Sequence, residues 1–298
     1  MAEDPTALPD HDPYHSHSFE ELCVLPIAYR DGLFDGQVIV ITGGGGAIGT
    51  AMATLFGRLG ATIVACGRNP ESLGILADRL RSIDVEVFTK PMTIRDPDQV
   101  AELIDGTWRR YGRLDLAINN AGGQFTSPAL DISPKGWNAV VETNLYGTWY
   151  VMQAAARRWV AEGRPGNIIN ISTIQGRAGV GIPHTAASRA GGVALTRSLA
   201  VEWAPHRIRV NSIAVGVIAS EGLKTYPPEA RASFGHNPMR RLGDVWDVAQ
   251  GAAYLAGPTG DFVTGTHLEI TGGEHVWGEY WPLGKPDYFK LEDPGTVE

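Results

Sequence analysis

Cysteine is scarce: the chain has two, Cys23 and Cys66, in 298 residues. Two thiols make no disulfide framework, and a chain this long buries a large core without staples. Basic charge is also short, with 25 Lys and Arg against 33 Asp and Glu, a net charge of −8. Nucleic-acid binding by counterion release needs a basic face, so this balance argues against it. No unbroken apolar stretch approaches the ~18 to 20 residues of a membrane span. The start, Met1-Ala2-Glu3-Asp4-Pro5, is acidic and lacks the basic region and apolar run of a signal peptide. The expectation is a cytoplasmic protein acting on a small molecule, away from nucleic acid and membrane.

What the chain has in abundance is glycine, 37 residues. That is about 12% against a usual ~7%, and it marks many tight turns or close backbone approaches. Apolar residues make up 43% and charged residues 19%, an ordinary globular balance. Residues 1–35 show no sustained period, carry Pro5, Pro9, Pro13 and Pro26, and read as an irregular arm. His11, His15 and His17 lie there without a carboxylate or cysteine pattern, so no metal is expected.

From Gln37 a different pattern begins. Gln37 to Thr42 is a short β-branched run, as in a strand buried on both faces. Further runs follow at Ala61–Cys66, Val85–Phe88, Leu114–Ile118, Asn167–Ser172, Ile208–Ile213 and His267–Ile270. Cys66 reads as a small core residue within its run. Helical spacing fills the intervals: Ala47–Gly60, Pro70–Arg81, Pro97–Tyr111, Pro134–Ala161, Pro183–Ala204 and Asp244–Ala256. Alternating strands and helices predict an α/β fold, a single doubly wound Rossmann-type parallel sheet with helices on both faces. One domain is expected over 36–273, followed by a tail, 274–298.

Between the first strand and first helix lies Thr42-Gly43-Gly44-Gly45-Gly46-Ala47-Ile48-Gly49. Glycines there let backbone pass close to a pyrophosphate, and the helix N-terminus offers free N–H groups and positive dipole. Gly43, Gly45, Gly46, Ile48 and Gly49 are therefore candidate cofactor contacts. The second strand ends in Ala65-Cys66-Gly67-Arg68. An NAD site places a carboxylate here for the ribose 2′-hydroxyl, and Gly67 supplies none. Arg68 suits a 2′-phosphate, which favours NADP(H) over NAD(H); the competing reading is a solvated surface arginine.

On these motifs the chain resembles the short-chain dehydrogenase/reductase family from about Gln37 to Gly273. The phosphate loop matches with Ala47 in place of one glycine. Asn119-Asn120-Ala121-Gly122 matches the motif after the fourth strand, and Thr143-Asn144-Leu145-Tyr146-Gly147 supplies the helix asparagine, Asn144. The resemblance implies a nicotinamide cofactor contacted by Asn120, Ala121 and Gly122, and a homotetramer. The catalytic positions depart from the family. Its serine maps to Thr173, and its Tyr-x-x-x-Lys reads Thr185-Ala186-Ala187-Ser188-Arg189; the proline after the sixth strand is replaced in Val215-Gly216. Threonine does not readily supply a stable anion, and arginine is not deprotonated in practice, so ordinary carbonyl–alcohol chemistry is not expected. Arg189 keeps a positive charge for the cofactor ribose.

Several segments are similar to the 2,4-dienoyl-CoA reductase branch, which also lacks that tyrosine: Leu25-Pro26, Gly123-Gln124-Phe125, Ile171-Ser172-Thr173-Ile174, Ala200-Val201-Glu202-Trp203 and Gly272-Gly273-Glu274. The branch's own tyrosine falls at Gln175 here, and its lysine at Arg189. This resemblance implies a conjugated thioester, such as a CoA thioester, and oxyanion donors as the main need. Asn144, Thr173, Thr185, Gln175 and His184 are the candidate donors, with His184 either a proton donor near neutral pH or a helix cap. The alternative is a catalytically degenerate subunit, binding nucleotide or assembled with an active relative. Ile218 to Arg241 reads as a mobile lid. Trp277, Tyr280, Trp281, Tyr288 and Phe289 read as tail aromatics packing on the domain or a neighbouring subunit.

Overall fold

The computed structural model describes residues 16–174, 179–226, 231, 234, 237–278 and 282–289. Seven strands form one parallel sheet in the order β3-β2-β1-β4-β5-β6-β7. They are β1 Val38–Thr42, β2 Thr62–Gly67, β3 Val87–Pro91, β4 Leu116–Asn119, β5 Gly166–Thr173, β6 Ile208–Val215 and β7 His267–Ile270. The helices are α1 Phe19–Val24, α2 Ala47–Arg58, α3 Pro70–Arg81, α4 Pro97–Tyr111, α5 Pro134–Val141, α6 Thr148–Ala161, α7 Pro183–Glu202 and α8 Val245–Ala256. The expected doubly wound sheet is present, and the order reverses between β1 and β4. A crevice at the carboxyl ends of the strands opens at such a reversal.

Both faces of the sheet are buried, and the strand period sorts side chains between them. Ile39, Ile41, Ile63 and Ile118 pack with α2, α3 and α8 on one face. Val38, Val40, Val64 and Ala117 pack with α4 and α6 on the other. Cys66 is fully buried, and burial pushes its thiol up to about 12, so it is inert packing. Among the described residues no helix is long and apolar enough to cross a membrane.

Three segments differ from the sequence reading. Residues 16–35 hold one short helix, α1, among bends and turns, and they pack on the domain. Ser18 and Glu21 form a reciprocal capping box on α1, too short a helix to show a period. Phe19, Leu22 and Phe34 enter the core. Phe34 meets Phe56 at 5.0 Å, and its amide donates to the Leu59 carbonyl. Arg58 donates to the Leu22 and Leu25 carbonyls and lies over the Trp246 ring. His17 contacts Asp244 at 2.7 Å; His11 and His15 lie outside the described residues.

Strand β3 starts two residues late, because Asp84 takes a positive φ of 58° and the Val85 amide returns to Leu80. As an edge strand it tolerates Lys90 and Pro91. The single long helix expected from Pro134 to Ala161 is instead broken by a π-helical turn, Glu142–Gly147. Wider turns of this kind recur at functional sites.

Phe34→Ala tests how firmly the lead-in segment belongs to the core. Truncating a fully buried aromatic costs about 3–5 kcal/mol. The midpoint of urea denaturation should fall by the corresponding amount with the slope unchanged.

Candidate functional site

The crevice at the strand-order reversal is a cleft of about 570 Å³. Its walls include Gly43, Gly45, Gly46, Ile48 and Gly49 from the phosphate loop, Arg68 from the end of β2, and Asn120, Ala121 and Gly122 after β4. All nine sequence-expected cofactor positions outside the catalytic motif therefore meet in one place. The turn is tightly built. Gly43 has φ +65°, and a Cβ there would come within 2.9 Å of Ala121 backbone. A Cβ on Gly49 would press on the Gly43 carbonyl and on Gly44 Cα at 2.8 Å. The Thr42 hydroxyl accepts from the Asn120 and Ala121 amides at 3.1 and 3.0 Å. Asn120 Nδ2 donates back to the Thr42 and Gly43 carbonyls. Asn120 thus ties the β1 loop to the β4 loop as well as lining the cleft.

Gly46 caps α2 with no side chain, so the first N–H groups of the helix remain free for an anion. The residues present fit a dinucleotide: a glycine cradle that any Cβ would fill, an open helix N-terminus, and a cation where the adenosine ribose would sit. Arg68 is exposed. Ser72, which the sequence reading passed over, also lines this end; its hydroxyl would lie 2.7 Å from a Cβ on Gly45. Its signal was weak because serine in the first turn of α3 is ordinary helix composition.

Three of the catalytic candidates, Asn144, Arg189 and His184, meet the β4 loop. The π turn carries buried Asn144 to Gly123, where Oδ1 accepts from the Gly123 amide at 2.9 Å and Nδ2 donates to its carbonyl at 3.0 Å. Gly122 backs directly onto the Arg189 guanidinium. Arg189 Nη1 donates to the Ile171 carbonyl at 2.7 Å. No carboxylate lies within ion-pair distance of it among the described residues, and burial brings its pKa down to about 10. It remains a cation at neutral pH. Thr173 ends β5 level with Val215. Gln175 lies outside the described residues.

Thr185 and His184 are both buried at the start of α7. His184 packs on Phe125, ring centroids 4.5 Å apart, and near Trp137 at 6.4 Å. Its Nδ1 accepts from the Thr185 amide at 2.8 Å, so it caps an α7 donor from within the first turn. That bond leaves the proton of the neutral ring on Nε2, which has no partner among the described residues. Burial lowers its pKa, partly offset by the Ile182 carbonyl. Burial thus favours the neutral imidazole, which can donate a hydrogen bond. The 218–241 segment runs back beside Gly243 through a bridge at Ile218, and Ile218 and Ser220 line the cleft; 227–230, 232–233 and 235–236 lie outside the described residues. In the tail, Tyr288 donates to the Pro238 carbonyl and lies under Arg240. Tyr280 and Trp281 are outside the described residues.

The His184 shift sets a pH dependence. A base whose folded pKa is below its unfolded value binds fewer protons folded than unfolded. Its stabilisation is complete above the unfolded value of about 6.5 and is lost as pH falls below it. Denaturant midpoints from pH 8 to 5 should therefore decline less steeply for His184→Asn than for the parent chain. Arg189 makes a second case. Replacing an unpaired buried cation by an isosteric apolar residue removes a desolvation cost. Arg189→Met should raise the unfolding midpoint at pH 7 while weakening nucleotide binding, read by fluorescence titration.

A family model described as enoyl-(acyl carrier protein) reductase matches residues 45–275. The chain is 36% identical to the probable 2,4-dienoyl-CoA reductase of Bacillus subtilis, described as (2E)-enoyl-CoA-producing, over 83% of this chain and 99% of that one. It is 32% identical to a peroxisomal 2,4-dienoyl-CoA reductase of Arabidopsis thaliana, described as (3E)-enoyl-CoA-producing, over 89% and 90% of the two chains. Among solved structures, the citronellol catabolism dehydrogenase of Pseudomonas aeruginosa superposes with a TM-score of 0.75 at 34% identity, over 83% and 98% of the two chains. Fold, nucleotide cleft and these likenesses agree: the chain belongs to the short-chain dehydrogenase/reductase family, and it is a short-chain oxidoreductase similar to the 2,4-dienoyl-CoA reductases.

Proposed function

We propose that this chain reduces a conjugated acyl thioester, a dienoyl- or enoyl-CoA or a related conjugated carbonyl compound, with NADPH. The observation that carries the reading is a complete nucleotide cleft joined to a site with hydrogen-bond donors and a fixed cation but no tyrosine in the motif. When bound, the reduced nicotinamide supplies hydride to the carbon at the far end of the conjugated system. The rest of the chemistry concerns negative charge arriving on the thioester oxygen, and that needs preorganised donors more than a strong acid.

The residues divide the work accordingly. Gly43, Gly45, Gly46, Ile48 and Gly49 hold the pyrophosphate against the α2 N-terminus. Arg68, with the Ser72 hydroxyl beside it, takes the 2′-phosphate. Arg189 holds ribose hydroxyls and keeps positive charge beside the ring. Asn144 locks Gly123 and so fixes the height of the β4 loop. Thr173 and Thr185 offer hydroxyl donors, while His184 shapes the wall through Phe125. Protonation of the dienolate at the α-carbon leaves a 3-enoyl product and at the γ-carbon a 2-enoyl product, so the position of the proton source decides the product class. A homotetramer in the cytoplasm remains the assembly and location we assign.

Two measurements test the proposal. NADPH oxidation across dienoyl-CoA, enoyl-CoA and enone substrates should show turnover with at least one conjugated compound. Tight NADPH binding without turnover on any of them would favour the second reading, a nucleotide-binding subunit paired with an active relative, which the Thr185 and Arg189 replacements motivate. For the cofactor, Arg68→Ala should weaken NADPH by about 10- to 150-fold, the worth of a charge-assisted contact of ~1.5–3 kcal/mol. NADH affinity should stay nearly constant, and equal losses would remove Arg68 as the discriminator.

A further inference from the structure

The proposed reduction asks most of its oxyanion donors, and beside the hydroxyls of Thr173 and Thr185 the motif holds no phenol. The thioester oxygen gains charge, and the motif positions supply a threonine, a guanidinium and a neutral buried imidazole. A phenol does stand against the β4 loop, on a different element. The 3₁₀ turn Glu221–Thr225 after β6 ends at Tyr226. The Tyr226 hydroxyl accepts a hydrogen bond from Gln124 Nε2, on the β4 loop.

The address of that bond is informative. Three consecutive residues of the β4 loop each touch a different group. Gly122 backs onto the Arg189 guanidinium, Gly123 is clamped by Asn144, and Gln124 binds Tyr226. Consecutive Cα atoms are 3.8 Å apart, so the residue whose side chain binds the phenol stands two positions along the chain from Gly122, which lines the cleft. Ser220, six residues before Tyr226, lines the cleft itself. The phenol is also held from other sides. The Tyr226 amide donates to the Leu223 carbonyl at 3.1 Å, and its ring meets Phe234 edge-on with centroids 5.4 Å apart. Because the oxygen accepts from Gln124, its own hydrogen is left to donate. Held donors aimed at a developing charge are worth most, since they need no reorganisation when the charge appears.

We propose that Tyr226 is the hydroxyl donor to the substrate's thioester oxygen, positioned by Gln124, and that it fills on the β6–α8 connection the role vacated at position 185. The proposal rests on the reading of the chain as a reductase of conjugated thioesters. The balance is simple: hydride from the reduced nicotinamide adds to carbon, the displaced electron pair moves onto the thioester oxygen, and the nucleotide leaves oxidised. The Tyr226 O–H bond is retained, its hydrogen bond strengthening as the oxygen becomes anionic, and water supplies the proton that the carbon later takes.

The test uses the full chain and 2,4-hexadienoyl-CoA as probe. With NADP⁺ present no hydride is available, so binding is read without turnover. A donor on the thioester oxygen polarises the conjugated system and shifts its absorption to the red. The parent chain should show that shift, and Tyr226→Phe should lose it while keeping nucleotide affinity and unfolding midpoint. With NADPH, the same variant should lose on the order of 10²-fold in kcat. Gln124→Leu should leave a reduced shift, since the phenol remains but is no longer held. An unchanged shift and rate in Tyr226→Phe would overturn the proposal, as would a parent chain that binds no probe or shows no shift. A shift that depends on Tyr226, without NADPH turnover, would retain the oxygen contact and reject the reductase reading instead.

Discussion

The turn at Thr42 and Gly43 is the constraint on which the rest of the site depends. Chain leaving β1 must reverse into α2 within a few residues and leave the helix N-terminus open. Gly43 makes that possible through its positive φ, and Gly49 lets the helix settle onto the loop. Thr42 and Asn120 then bind this turn to the β4 loop through four hydrogen bonds. The same brace that shapes the phosphate cradle therefore fixes Ala121 and Gly122, and through them the floor on which Arg189 and Asn144 converge. Cofactor geometry and substrate geometry are set by one connection.

Arg189 stands where the family resemblance implies a lysine. A lysine can sit beside a phenol and bias its proton. An arginine at the same place cannot lose its charge at working pH, and its guanidinium is braced against the Ile171 carbonyl. It is a fixed positive charge set against Gly122. With Thr185 and His184 buried at its start, the α7 motif under the proposed function supplies fixed charge rather than a proton relay. Such a site suits chemistry in which an anion must be stabilised and a proton is not urgently required.

The N-terminal segment and the π turn illustrate two kinds of information that periodicity does not carry. Helix α1 is six residues long, so its apolar spacing never repeats; its stability comes from a capping box and from burying Phe19 and Leu22 against the rest of the domain. The π turn inserts one extra residue into an otherwise regular helical pattern, and its purpose lies outside the helix, in the clamp of Asn144 on Gly123.

The sequence by itself determined the sheet, the glycine cradle and its nucleotide, because these depend on local choices: β-branched runs, helix spacing, and glycine where no Cβ fits. It also places threonine at 185 and arginine at 189, where the family resemblance implies tyrosine and lysine. Tertiary structure alone decided that Ser72 joins the nucleotide cleft, that His184 is a buried neutral ring, that Arg189 has no carboxylate partner among the described residues, and that Tyr226 meets Gln124 across 102 positions of chain. The physical reason is the same for each. Desolvation, pairing and tautomer are properties of the surroundings of a group, and those surroundings come from strands and loops far apart in sequence that only the closed sheet brings together.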